Sequence, residues 1–216
     1  MKKNIVILAK SAKRGNYCVA GIELGSNRWI RPVSDDEDIQ GAVHIETAAE
    51  IQPLDVVQIE FAGAAATEIQ PENFFYTGAA WKKFAHWSLA DFEKFCGLDG
   101  VDVIFYDTSR RIEPEAVENF RRRQSLLILP IENISVNVNQ FGGEMKFHAS
   151  FDYGGTRYEN FGVSDIALRE NFSSRGFGEF PVAESAIATF SLTAPFKDGR
   201  CYKMLAQFFG GLQSAR

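Results

Sequence analysis

Met145-Lys146-Phe147-His148-Ala149-Ser150-Phe151-Asp152-Tyr153 decides the fold class. Apolar and polar residues alternate strictly along this stretch, the two-residue period of a strand with one buried face. Gly142-Gly143 precedes it and Gly154-Gly155 follows it, so a turn is expected at each end. Outward from there, residues 126–138 read as the preceding strand, with Ile134, Val136 and Val138 alternating. Residues 157–163 read as the following strand, and 187–192 and 201–209 as two more. The N-terminal half carries the same signal. Strands are expected at 3–9, 17–24, 28–33 and 55–61, with a further extended piece in 67–76 broken by Pro71. Many short strands between glycine turns predict a barrel or a sandwich in each half.

The middle of the chain changes character. Ser88-Leu89-Ala90-Asp91 resembles a capping box with Asp91 in the place of Glu, and Leu89, Phe92 and Phe95 follow at helical spacing until Gly97. Residues 101–106 form an apolar run that reads as a strand. Pro114 fits the first turn of a second helix over 114–123, where Arg121-Arg122-Arg123 complements the negative C-terminal end. A short helix after Ser164-Asp165 has Ser164 as its expected cap. The fold class is therefore mainly β (α+β): strand-rich halves at 1–85 and 124–216, joined by a helical segment at 86–123.

The 216 residues are 45% hydrophobic, enough for a substantial core. The longest apolar runs, such as 126–129, are far too short for a bilayer. The basic, then apolar start stops at Lys10 without the long apolar stretch of a signal peptide, so a cytoplasmic protein and no membrane contact are expected. Cys18, Cys96 and Cys201 are odd in number and widely spaced, which argues against disulfides or a zinc site. His44, His86 and His148 are equally scattered, so no metal and no cofactor are expected. The net charge of −5 speaks against a dedicated duplex-DNA binder, but its distribution is uneven. Residues 1–31 hold seven Lys or Arg and one acid, Glu23, whereas 32–75 hold ten acids and no Lys or Arg. Either the first hairpin presents a positive field or it pairs with the acidic run beside it.

Several phrases, taken in order, resemble the dual OB-containing domain family of prokaryotes. They are Gly15-Asn16-Tyr17-Cys18-Val19-Ala20-Gly21 with Arg28-Trp29-Ile30-Arg31-Pro32-Val33-Ser34, then Asp55-Val56-Val57 and Gln70-Pro71-Glu72-Asn73. Phe161-Gly162-Val163-Ser164-Asp165 follows, and then Ser191-Leu192-Thr193-Ala194-Pro195-Phe196 with Cys201-Tyr202-Lys203-Met204. The resemblance implies two OB-like β-barrels, at 1–85 and 124–216, and ligand or nucleic-acid binding. The chain departs from the family in carrying an acidic, insert-like stretch at 34–50, which speaks against a simple surface for anionic ligands.

OB barrels bind single strands by stacking bases on aromatics while basic side chains follow the backbone. Lys10, Lys13 and Arg14 bracket the first turn. By alternation, Trp29 and Arg31 share one strand face, placed to stack and pair with a nucleotide; alternatively, Trp29 plugs the barrel and Arg31 pairs with the acidic run. Gln70, Glu72, Asn73, Asp165 and Lys203 are polar residues within the resembling phrases, and would line one cleft if the barrels pack together; turn and cap chemistry is the alternative. No GxGxxG, Walker A, GxSxG or HExxH motif is present, so binding is favoured over catalysis. The leading expectation is a binding module for single-stranded nucleic acid or a nucleotide-like ligand. The alternatives are an enzyme acting on such a ligand in the cleft, and a protein-interaction subunit docking through 34–50.

Overall fold

The computed structural model describes residues 1–13, 15–39, 41–118 and 123–211. It divides into two compact units, Met1–Leu98 and Asp99–Arg216. The segment 86–123 is apportioned between them. Its first helix falls in the first unit and the remainder in the second.

The first unit contains β1 (Lys2–Lys13), β2 (Asn16–Glu23), β3 (Arg28–Val33), a short α1 (Ile45–Ala48), β4 (Asp55–Ala64), β5 (Asn73–Tyr76), β6 (Lys82–His86) and α2 (Leu89–Phe95). The strands run in the order β1-β2-β3-β5-β4, and β4 pairs back onto β1. That closes a five-stranded barrel in which the β3–β5 contact is parallel. The core face is built by alternation from Ile5, Ile7, Val19, Ile30, Val57, Ile59 and Phe61, joined by Val43, Ala48 and Ile51 from the β3–β4 connection. Closure forces β1 and β2 close together. A Cβ on Gly21 would lie 2.1 Å from the Val6 carbonyl oxygen, so only glycine fits. The acidic stretch is tied to the barrel, since Tyr17 and Val43 exchange backbone hydrogen bonds of 3.0 and 2.7 Å.

The second unit contains β7 (Arg111–Ile112), α3 (Pro114–Glu118), β8 (Leu126–Phe141), β9 (Glu144–Tyr153), β10 (Thr156–Val163), α4 (Ile166–Ser173), β11 (Gly178–Leu192) and β12 (Cys201–Phe209). Here the path β8-β9-β10-β12-β11 returns to β8, and β10–β12 is parallel. This is the connectivity of the first unit, without an internal sequence repeat. The strand that decided the fold class is β9, and its Phe147, Ala149 and Phe151 are buried. Phe151 stacks on Tyr158 at 5.6 Å and meets Phe161 edge-on at 5.2 Å, forming an aromatic core with Phe190.

Several local expectations change. The apolar run 101–106 is no strand: Ile104–Tyr106 is a single 3₁₀ turn, with Phe105 and Tyr106 at φ 42° and 76°. Ile104 and Phe105 are both buried, and the left-handed φ of Phe105 and Tyr106 breaks the extended backbone that a strand requires. Strands β8 and β11 run to 16 and 15 residues because Pro130 is accommodated within β8 and Pro181 adjoins a bulge. Strand β6 has five exposed residues and no alternation to announce it. The capping box at Ser88 is present: Asp91 N donates to Ser88 Oγ (3.1 Å) and Ser88 N to Asp91 Oδ2 (2.9 Å). The cap of α4 is Asp165 rather than Ser164, because its carboxylate accepts from Leu168 N at 2.8 Å. Of the helix expected at 114–123, Pro114–Glu118 is helical, and 119–122 lies outside the described residues. His148 is half-buried; burial, then Arg110 and Lys146, lower its pKa. Cys201 is buried, its thiol pushed up to about 11, while Cys18 is half-buried. No helix among the described residues is long and apolar enough to cross a membrane.

Candidate functional site

Strands β3 and β5 lie side by side, with Arg31 opposite Asn73. Ile30 belongs to the core, so Trp29 and Arg31 project from the other face of β3. Phe74 and Tyr76 pack on the core, which places Asn73 and Phe75 on that same outer face of β5. Arg31 Nη2 lies 3.2 Å from Glu72 Oε1, and Arg31 N donates to the Glu72 carbonyl at 2.9 Å. Asn73 Nδ2 donates to Gln70 Oε1 at 3.3 Å. The connection into β5 is held by reciprocal bonds: Gln70 N donates to Thr67 Oγ1 (3.0 Å) and Thr67 N to the Gln70 carbonyl (3.2 Å). Arg31, Glu72 and Asn73 are all buried. Among the described residues Asn73 Oδ1 is buried without a hydrogen-bond partner, a condition that costs about 1–3 kcal/mol.

Four of the residues expected from sequence thus meet: Arg31, Gln70, Glu72 and Asn73. Trp29 is half-buried on the same strand as Arg31, and Lys13 is half-buried at the end of β1. Arg14 lies outside the described residues. The ammonium of Lys10 is engaged by the Ala49 and Ile51 carbonyls at 3.0 and 2.8 Å and sits 4.3 Å over the Tyr17 ring. Burial lowers its pKa, against the opposing pull of Asp55.

Asp165 and Lys203 belong to the second unit and to two different networks there. The Asp165 carboxylate accepts from Leu168 N, from Gln207 Nε2 at 2.8 Å and from Phe208 N at 2.6 Å; burial raises its pKa despite these donors. Lys203 Nζ donates to the Ile104 carbonyl (2.8 Å), the Asp107 carbonyl (2.7 Å) and Asp107 Oδ1 (2.6 Å). Burial lowers the Lys203 pKa, and Asp107 partly restores it.

Sequence reasoning missed a third cluster. Asp55, fully buried at the start of β4, accepts from Lys83 Nζ (2.7 Å), His86 Nδ1 (2.8 Å) and Gln52 N (2.8 Å). Lys83 and His86 are three apart and would face opposite ways on a regular strand. A β-bulge at Phe84 shifts the register from Val56–Ala85 to Val57–Lys83, and both side chains then reach one carboxylate. The only signal in the sequence is a charge opening an otherwise apolar strand. Among the described residues, no group of three or more His, Cys, Asp or Glu is placed to hold a metal.

One closed five-stranded path, traced twice with the third and fifth strands parallel, is a Greek-key OB barrel in duplicate. A family model for a dual OB-containing domain matches residues 3–208. The chain belongs to the dual OB-containing domain family. No curated protein and no solved structure matches it. OB barrels bind ligands on the face of their second and third strands and on the loops joining strands 1–2 and 4–5. In the first OB barrel those elements are β2, β3, the turn after Lys13, and residues 65–72. Trp29, Arg31, Gln70 and Glu72 all stand on them, and Asn73 begins the next strand.

Proposed function

We propose that the first barrel binds single-stranded nucleic acid or a nucleotide-like ligand on its β2–β3 face. The observation that carries this reading is the buried, unmet Asn73 Oδ1 beside the Arg31–Glu72 pair. A buried acceptor calls for a donor, and nucleobase exocyclic amines and ribose hydroxyls are donors. Gln70 offers a second amide for a base edge, Trp29 an aromatic surface for stacking, and Lys13 a cation for phosphate.

The test is fluorescence anisotropy with labelled oligothymidine, oligoadenosine and ATP at about 50 and about 200 mM salt. Binding is expected at low salt and weaker at high salt. Trp29→Ala and Asn73→Ala should each weaken it by about tenfold, the loss of roughly one stacking or hydrogen-bonding contact. Undetectable binding of every probe at low salt removes the reading.

A further inference from the structure

We infer that β6 extends this face into a binding lane for single-stranded polynucleotide, so that the first barrel takes a strand rather than a lone nucleotide. The inference rests on the reading above and adds to it a place outside the β2–β3 face.

Strands β5 and β6 pair with the same edge of β4. Tyr76 stands opposite Phe61, Thr77 N donates to the Glu60 carbonyl at 2.8 Å, and Lys82 stands opposite Gln58. The two therefore form one interrupted line along β4 that begins at Asn73 and ends at His86, with β5 lying between β3 and β4 and β6 at the edge. It runs the ten residues of β4, about 30 Å at strand rise. That length suits several nucleotides, within the range of about 4–16 per OB fold.

The chemistry of this line departs from the rest of an acidic chain. Residues 73–90 contain no Asp or Glu, but they do contain Lys82 and Lys83; Phe74, Tyr76 and Trp81 pack on the core, which leaves Phe75, Phe84 and the half-buried Trp87 outside it. Every residue of β6 is exposed. Phe84, pushed out by the bulge, is 62% exposed. Beyond it, the Trp87 ring lies 5.4 Å from Phe95, itself 63% exposed, with Lys94 Nζ 5.3 Å over that second ring. Lysines and a bulge suffice to protect an edge strand from pairing with another chain. They do not account for exposed aromatic rings, which edge protection leaves out. Cations interleaved with open aromatic faces are what a single strand needs: phosphates meet Lys82, since Lys83 is held by Asp55, and bases stack on Phe84 and the rings beyond it.

The experiment compares labelled oligothymidines of about 4 and about 16 nucleotides on the full chain and on a Lys82→Ala/Phe84→Ala variant. Both positions are exposed, and thermal melting of the variant checks that the barrel is intact. The wild-type chain should bind the long oligomer more tightly than the short one. The variant should lose about tenfold or more on the long oligomer, the worth of one lost stack, and nothing on the short one. Equal affinity of variant and wild type for the long oligomer overturns the lane and leaves the β2–β3 site standing. No binding of either length by the wild type removes both. A wild-type dimer that Phe84→Ala splits, with oligomer binding unchanged, overturns the lane in favour of edge pairing between copies.

Discussion

His86 Nδ1 lies 2.8 Å from Asp55 Oδ1, joining an exposed ring on β6 to a fully buried carboxylate on β4. Lys83 meets the same oxygen at 2.7 Å. Burial alone would raise the Asp55 pKa. The donors from Lys83, Gln52 N and His86 outweigh it and hold the carboxyl below its ordinary value.

A depressed carboxyl contributes stability that is present above the unfolded pKa and lost as pH falls through the folded one. The first barrel should therefore weaken as the solution is acidified below about pH 4. Asp55→Asn should cost about 1–3 kcal/mol at pH 7, and less as the pH falls toward the folded value. Urea unfolding of both proteins at neutral and acid pH measures this, and a cost independent of pH would contradict it.

Arg31 and Glu72 are a buried pair, and removing one of them takes an opposite charge away from the other. Arg31→Met or Glu72→Gln alone should cost about 3–5 kcal/mol. The double variant should cost clearly less than the sum of the two. A double-mutant cycle by chemical denaturation gives the coupling, and additive losses would show that the two charges are held by other groups.

Gly21 and Gly162 separate two kinds of crowding. A Cβ at Gly21 meets a backbone oxygen at 2.1 Å, whereas one at Gly162 meets only the thioether end of Met204, at 2.7 and 2.8 Å. Gly21→Ala should cost about 3 kcal/mol or more and Gly162→Ala about 1 kcal/mol, because a methionine end can move and a strand cannot. Thermal unfolding of the two variants compares them directly.

Lys203 closes the turn that holds Phe105 and Tyr106 in the left-handed region. Lys203→Met keeps the apolar stem and removes three hydrogen bonds, one to the buried Ile104 and two to the exposed Asp107. It should destabilise the second unit by about 2–4 kcal/mol. Hydrogen exchange at 104–107 should rise with it, and unchanged protection there would mean that the turn stands on its own.

Much of the architecture was legible because barrel strands display their burial as alternation. Strand β9 shows it directly, and Arg31, Gln70, Glu72 and Asn73 stand in short phrases that the fold brings together. Other features leave no such trace. Strand β6 has no buried face. Lys10 and Lys203 look like charges awaiting a partner, and the carbonyls that meet them come from distant positions. Asp55, Lys83 and His86 converge only through a register shift, which no periodicity reveals.

That shift at Phe84 has an evolutionary consequence. As far as the fold is concerned, the bulge requires a residue at position 84 and not a particular one. Removing the position would set Lys83 and His86 two residues apart, on one face of a plain strand, so the pairing with Asp55 would survive its loss. Related chains that keep the carboxylate are free, as far as this cluster goes, to vary the side chain at 84 or to lose it, so any preference for an aromatic ring there must come from what the strand touches.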